Sequence, residues 1–221
     1  MGGAASPSEA AWRGPGWAYR AAKRGLDVGL SLLALLVLGV PMLLIALAIR
    51  LESPGRAVFR QRRAGWKGRP FTMLKFRTMR VDTDVYGTSP RSAADPRLTR
   101  VGRLLRETSL DELPQLLNVL AGQMSLVGPR PLYERQAELW DRRQRRRLDV
   151  RPGITGYAQA YGRASMMLED KIAFDLYYVD KASGRLDGAI LLRTAANVVN
   201  RRAEGVYEKR YSRDRETETD Q

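Results

Sequence analysis

The strongest constraint on this chain is an apolar run from Leu26 to Ile49, which holds one ionisable residue, Asp27, in 24 positions. As a continuous helix it would extend roughly 36 Å, enough to cross a hydrocarbon core of about 30 Å. A spanning helix should carry its Lys/Arg excess on one flank only. Here both flanks are basic: Arg13, Arg20, Lys23 and Arg24 precede the run, and Arg50, Arg56, Arg60, Arg62 and Arg63 follow it. Pro41, two residues after Gly39, deletes a helical hydrogen bond and offers a place to bend. Two readings fit these features. One is a single-pass helix with a tolerated proline; the other is a re-entrant helix, broken near Pro41, that enters and leaves by the same face.

The rest of the chain is polar. Across 221 residues there are 38 Lys+Arg against 24 Asp+Glu, a net charge of +14, and neither histidine nor cysteine. The missing residue types exclude an imidazole base, thiolate nucleophiles, disulfides, and His or Cys metal sites. Catalysis must use Asp, Glu, Lys, Arg, Tyr or a hydroxyl, and any metal must be a hard, oxygen-liking ion such as Mg²⁺. The charge calls for an anionic partner: nucleic acid, an acidic membrane surface or a phosphorylated substrate.

Residues 1–16 are rich in Gly, Ala, Ser and Pro and read as a disordered lead without the features of a signal peptide. Residues 17–56 make the membrane segment and its flanks, 57–205 a catalytic domain, and 206–221 a charged tail. Ala57–Arg63 and Pro70–Met79 flank the turn Gly65-Trp66-Lys67-Gly68 and read as a β-hairpin. Val81–Arg97 is a surface loop. Leu98–Leu105 and Leu113–Leu120 have the pattern of amphipathic helices suited to a membrane surface. Tyr133–Val150, Lys171–Tyr178 and Leu186–Val199 read as further helices, the first with arginines at 142, 143, 145, 146 and 147. No internal repeat is present. The expected fold is predominantly α with a small β-hairpin, membrane-monotopic, with interfacial amphipathic helices.

The segment from Arg106 to Leu116 sets two carboxylates, Asp111 and Glu112, at a helix start. Ser109 and Glu112 have capping-box spacing, and acids in a first turn need no role beyond stabilising the helix dipole. The same geometry suits catalysis: a helix N-terminus lowers the pKa of Asp111, readying it as nucleophile or metal ligand, with Glu112 beside it to hold Mg²⁺. In Gly128-Pro129-Arg130-Pro131, two prolines fix the backbone around an arginine able to grip phosphate; a rigid turn with a solvated arginine is the simpler account. Strand periodicity puts Lys75 and Arg77 on one face. Arg151-Pro152-Gly153-Ile154-Thr155-Gly156 is a turn whose amides could also line a phosphate, although it is not a P-loop. The arginine run at 142–147 suits anionic lipid headgroups, with RNA or DNA as the rival partner.

Taken in order, these pieces resemble the catalytic domain of the bacterial sugar transferases, the monotopic phosphoglycosyl transferases. The resemblance rests on Lys23-Arg24-Gly25-Leu26-Asp27, Phe59-Arg60-Gln61, Lys75-Phe76-Arg77-Thr78-Met79, Asp95-Pro96-Arg97, Thr108 to Gln115, Ser125 to Pro131, and Arg151 to Gly156, and it covers about residues 20–205. It implies transfer of a sugar 1-phosphate from a UDP-sugar to polyprenyl (undecaprenyl) phosphate, giving a polyprenyl-diphosphate-sugar and UMP, as the first membrane step of glycoconjugate assembly. It makes Asp111 the nucleophile of a covalent phosphosugar intermediate and Glu112 the Mg²⁺ ligand, with Asp111 as a second candidate ligand. Arg130 becomes a phosphate-binding group and Arg106 a partner that orients the acids, with Lys75, Arg77 and Arg151 as further cations at the site. Pro129 and Pro131 are implied as its structural frame, and Pro41 as the bend of a re-entrant hairpin. Val40 departs from the family's small residue before that proline. Many members also carry an N-terminal four-helix membrane domain, and none is expected in this sequence. The implied location is the cytoplasmic face of a bacterial inner membrane. Expected partners include anionic lipids, a second copy of the chain and downstream glycosyltransferases, but not nucleic acid. A membrane-tethered nucleic-acid-binding protein and a non-catalytic scaffold are the alternatives.

Overall fold

The computed structural model describes residues 15–84, 90, 94–162 and 166–204, the last four of these by backbone only. The lead to residue 14, the tail from 205, and residues 85–89 and 91–93 of the expected loop lie outside the described residues. The apolar run forms part of α1, Trp17–Glu52, a 36-residue helix that contains Pro41. The expected break does not interrupt it: helical structure continues through the proline. Proline in a helix interior removes one hydrogen bond and favours a bend, and here the turns on either side hold the element together.

Both halves of α1 dock on the same folded body. At its N-terminal half, Tyr19 and Lys23 each donate to Asp187 at 2.8 Å. Arg24 donates to the carbonyls of Val119 (2.7 Å) and Leu120 (3.0 Å), satisfying the end of another helix with a cation. The buried Asp27 accepts from the Leu126 amide at 3.0 Å. At the C-terminal half, Ile49 is buried in a cluster with Ala57, Phe76 and Leu105, against which Met42, Ile45, Ala46, Leu110 and Leu113 pack. Glu52 accepts from the amides of Arg100 (2.5 Å) and Val101 (3.0 Å). None of residues 32–41 is buried. A straight crossing requires about 20 apolar residues clear of protein. By length and composition α1 is apolar enough to cross a membrane, with no buried residue from 32 to 48; its docking at both ends is what distinguishes the re-entrant reading.

The hairpin forms as expected: β1 (Val58–Arg63) pairs antiparallel with β2 (Phe71–Phe76), Val58 opposite Phe76. Lys67 takes a positive φ of 55° in the connecting turn. Next come α2 (Arg100–Thr108), a 3₁₀ turn at Leu110–Glu112, and α3 (Gln115–Leu120). The helix expected over Tyr133–Val150 is instead three short pieces: α4 (Glu134–Glu138), α5 (Arg142–Arg145) and a 3₁₀ turn, Arg146–Asp149. Asp141 causes the restart, its side chain capping the Gln144 amide at 2.7 Å. The last described elements are α6 (Tyr157–Tyr161), α7 (Leu168–Lys181) and α8 (Gly184–Glu204).

Two three-residue strands were not anticipated: β3 (Ser125–Val127) runs parallel to β4 (Gly153–Thr155). They bring the two glycine-containing motifs into backbone contact. A Cβ on Gly156 would lie 2.1 Å from the Gly128 carbonyl oxygen, and one on Gly153 2.1 Å from the Gly128 nitrogen. The glycines of Arg151–Gly156 therefore serve close packing rather than an open phosphate loop.

Arg77 borders a cleft that Lys75 also lines, but its guanidinium is engaged elsewhere. β2 ends at Phe76, and the Arg77 guanidinium turns to the C-terminus of α1. It donates to the Ser53 carbonyl (2.8 Å), Ser53 Oγ (2.9 Å), the Ile49 carbonyl (3.4 Å) and the Pro54 carbonyl. Charge-assisted hydrogen bonds of this kind contribute about 1.5–3 kcal/mol. Arg77→Met is therefore predicted to lower unfolding stability by about 2–4 kcal/mol. Chemical denaturation in detergent measures this; a loss within experimental error would show that the cap is dispensable.

Candidate active site

The acidic pair is presented by a turn with two faces. Ser109 ends α2 in the left-handed region (φ 58°), a costly conformation for a non-glycine residue. The chain then enters the 3₁₀ turn, where Leu110 and Leu113 pack into the cluster around Ile49. Asp111 and Glu112 instead line a cleft of ≈ 1210 Å³. Apolar packing on one side of the turn thus fixes the carboxylates on the other. Ser109 forms no side-chain cap, so the capping-box account fails and Glu112 makes different contacts.

Lys75 Nζ lies 2.8 Å from Glu112 Oε1 and 4.0 Å from Asp111 Oδ2. Arg130 Nη2 reaches the same Glu112 oxygen at 2.8 Å. Burial alone would raise the Glu112 pKa, but Arg130 and Lys75 outweigh it and hold the carboxyl at about 2. Asp111 behaves oppositely: burial raises its pKa, Lys75 opposes the shift and neighbouring Glu112 reinforces it. The expected lowering by a helix N-terminus is therefore corrected, since a three-residue turn has little dipole to set against desolvation. Burial lowers the Lys75 pKa, Arg130 adds to that, and the two carboxylates partly compensate.

Arg130 is delivered by a clamped loop. The Pro129 carbonyl accepts from the Gly153 amide at 2.9 Å, and the Pro131 carbonyl from Arg63 at 3.3 Å. Pro131 borders the cleft while Pro129 lies behind it, against a separate small cavity. Arg106 lines the cleft, its charge lowers the Asp111 pKa, and its Nη1 is buried without a partner. Arg151 is not brought in. It donates to the Gly122 carbonyl at 2.9 Å and stacks over Trp66 at 4.4 Å, away from the acids. Pro41 belongs to the exposed part of α1 and has no place in the cleft.

The arginine run is also redistributed. Arg145 donates to the carbonyls of Trp140 (3.0 Å) and Glu138 (3.2 Å), and Arg146 pairs with Asp180. Arg147 is buried, pairs with Asp175 and donates to the Arg130 carbonyl at 2.9 Å. These three make protein contacts rather than a continuous lipid-facing stripe. Sequence reasoning missed Arg147, Asp175, Thr155, Gln159 and Thr194 as lining residues; Arg147 and Asp175 pair across 28 positions, beyond any local motif.

For a hard cation, Asp111 and Glu112 offer suitable oxygens. Both ion pairs of Glu112 fall on Oε1, leaving Oε2 outside them. Among the described residues no group of three acidic side chains could hold a metal unaided, so a bound Mg²⁺ would need substrate phosphates or water to complete its shell.

Comparison with known proteins identifies relatives over most of the chain. The family model described as bacterial sugar transferase matches residues 18–201. The uncharacterized sugar transferase EpsL of Bacillus subtilis is 44% identical over 177 residues, covering 80% of this chain and 87% of that protein. A protein of Caulobacter vibrioides named UDP-glucose:undecaprenyl-phosphate glucose-1-phosphate transferase is 44% identical over 185 residues, 80% of this chain and 69% of its own length. An Escherichia coli protein of the same name is 41% identical over 183 residues, 79% of this chain but 39% of its own length.

Glu112→Gln should cost about 1–3 kcal/mol near pH 7, because it removes the close counter-charge of Lys75 and Arg130 and leaves Lys75 with Asp111 at 4.0 Å; partial exposure of Arg130 keeps the loss below that of a fully buried pair. The Glu112 pKa is depressed from 4.5 to about 2, so its stabilisation is present above the unfolded value and is lost as pH falls through the folded one. Denaturation curves should therefore converge for the two proteins between pH 4.5 and about 2. A pH-independent difference would contradict the pairing.

Proposed function

This chain belongs to the bacterial sugar transferase family, and we propose that it transfers a sugar 1-phosphate from a UDP-sugar to undecaprenyl phosphate, releasing UMP. The observation that carries this reading is the cleft itself: Asp111 stands beside a Glu112 held by Lys75 and Arg130, with Arg106 also in the lining. Such a group can neutralise a diphosphate while leaving one carboxylate to attack it. The cleft is large for a small-molecule site, which usually spans about 300–1,000 Å³, and so has room for a nucleotide sugar. UDP-glucose is the first donor to test, because it appears in the names of the Caulobacter and E. coli relatives.

In the proposed sequence, an Asp111 oxygen attacks the phosphorus that bears the sugar. A bond forms between that oxygen and phosphorus, the bond to the UMP phosphate oxygen breaks, and its electron pair leaves with UMP. A phosphate oxygen of undecaprenyl phosphate then attacks the same phosphorus, restoring the Asp111 carboxylate and giving undecaprenyl-diphosphate-sugar. Dividing the transfer lets two bulky substrates use one site in turn. Arg130 and Lys75 hold the diphosphate charge, and the low pKa of Glu112 keeps that residue anionic. Asp111 and Glu112 would hold Mg²⁺, which supplies further charge neutralisation when bound. Neither residue requires an imidazole partner, because UMP leaves as a stable phosphate.

The acceptor is a lipid, and α1 is suited to reach it. Its exposed middle, including Leu36, Val37, Val40, Leu43 and Leu44, is apolar. Only 6% of its most apolar stretch is covered by the protein. With both halves docked on one body, insertion of that middle leaves both ends on one face of the membrane. This favours a monotopic enzyme at the cytoplasmic face of the inner membrane.

Asp111→Asn should abolish UMP release and the acid-labile phosphosugar adduct when UDP-glucose, undecaprenyl phosphate and Mg²⁺ are supplied. Turnover within tenfold of wild type would overturn the mechanism. The chain has no native cysteine, so Trp17→Cys and Leu51→Cys can each be probed alone. Both should react with an impermeant maleimide only in inside-out vesicles. Labelling of one from each side would restore a spanning helix.

A further inference from the structure

Another part of the cleft lining carries polar atoms to which the proposed chemistry assigns no task. Arg147 Nη1, Asp175 Oδ1, Gln159 Nε2 and Gln159 Oε1 are all sealed from solvent without a hydrogen-bond partner. All three residues line the cleft. Buried polar groups are nearly always satisfied, and clusters of exceptions call for an explanation. These atoms form a balanced set of two donors and two acceptors. Arg147 and Asp175 are already committed to each other through Arg147 Nη2 and Asp175 Oδ2. Gln159 stands over the glycine contact, its Oε1 3.0 Å from where a Gly156 Cβ would sit.

We propose that Arg147, Asp175 and Gln159 form a subsite for a vicinal diol of the nucleotide-sugar donor, an inference that rests on the transferase reading above. A hydroxyl both donates and accepts. One hydroxyl therefore satisfies Asp175 Oδ1 and Arg147 Nη1, and its neighbour satisfies both ends of the Gln159 carboxamide. A uracil edge is a poorer match, since its single N–H between two carbonyls offers one donor against two acceptors. A phosphate has only acceptors at neutral pH and would leave Asp175 Oδ1 facing an anion. The subsite is tied to the phosphate-binding loop, because Arg147 also donates to the Arg130 carbonyl at 2.9 Å. A seated diol thus bears on the arginine that holds the diphosphate. Both a hexose and the ribose of uridine carry such a diol, and the test separates them.

The test uses the full-length enzyme in detergent with Gln159→Met, which keeps size and removes both polar atoms, and Gln159→Glu, which keeps the acceptors and removes the donor. Thermal melts check that each variant is folded. A site built to bind a hydroxyl rejects the analogue lacking it by large factors. Wild type should therefore prefer the intact ligand by at least about 30-fold, and Gln159→Met should reduce that preference to below about threefold, with Gln159→Glu intermediate. If UDP-glucose against its deoxyglucose analogues shows this collapse, the diol is the hexose's. If inhibition by UMP against 2′- and 3′-deoxy-UMP shows it, the diol is the ribose's. Equal loss toward intact and deoxy ligands, or no change with any of them, overturns the subsite. Absence of wild-type turnover with every UDP-sugar would count instead against the transferase reading, and binding of the nucleotides would still report on the diol.

Discussion

Docking of both halves of one apolar helix onto a single body is the constraint from which the rest of this structure follows. The N-terminal half of α1 is held by polar contacts that reach well beyond it: Arg24 closes α3, Asp27 holds the start of β3, and Tyr19 and Lys23 reach α8 through Asp187. The C-terminal half is held by apolar packing, and it is the floor beneath the acidic turn. Leu110 and Leu113 face that floor, so Asp111 and Glu112 face the cleft. The surface proposed to meet lipid and the group proposed to attack the donor are therefore parts of one rigid contact, not separate modules joined by a linker.

Electrostatics then divide the labour between two adjacent carboxylates. Glu112 faces Lys75 and Arg130 at 2.8 Å each and becomes a strong acid. Among the described residues Asp111 has only Lys75, at 4.0 Å, within salt-bridge range, and it is shifted the other way by burial. Adjacent residues of the same chemical type thus acquire different protonation behaviour from their surroundings alone. This asymmetry suits one anion that holds cations in place and another that stays uncommitted until a substrate arrives.

Much of this was legible locally. The hairpin showed in two β-rich stretches around Gly65–Gly68, and the site showed in Asp111, Glu112 and Arg130, each within a short run of unusual residues. Errors arose where a distant contact decides. Lys75 and Arg77 both border the cleft, as their shared parity suggests, but β2 stops between them and the Arg77 guanidinium is taken up by the end of α1, which parity does not foresee. Ser109 and Glu112 have capping spacing, yet packing of the adjacent leucines forces Ser109 to a positive φ that no spacing rule foresees. Arg147 looked like one of several surface arginines because its partner, Asp175, is 28 residues away. The paired strands β3 and β4 are three residues each, too short to show periodicity.

The glycine contact between the two loops has a consequence for how such an enzyme diversifies. Gly128 meets Gly153 and Gly156 backbone to backbone, with no space for a methyl group. Neither loop can drift on its own, since any side chain gained on one would have to be matched by a retreat of the other, some 25 positions along the chain. Grafting a single loop from a relative would break this fit even when every residue lining the cleft was compatible. Side chains on α6, α7 and α8 that line the cleft are free of this backbone constraint, and changing them leaves the loop that carries Arg130 undisturbed.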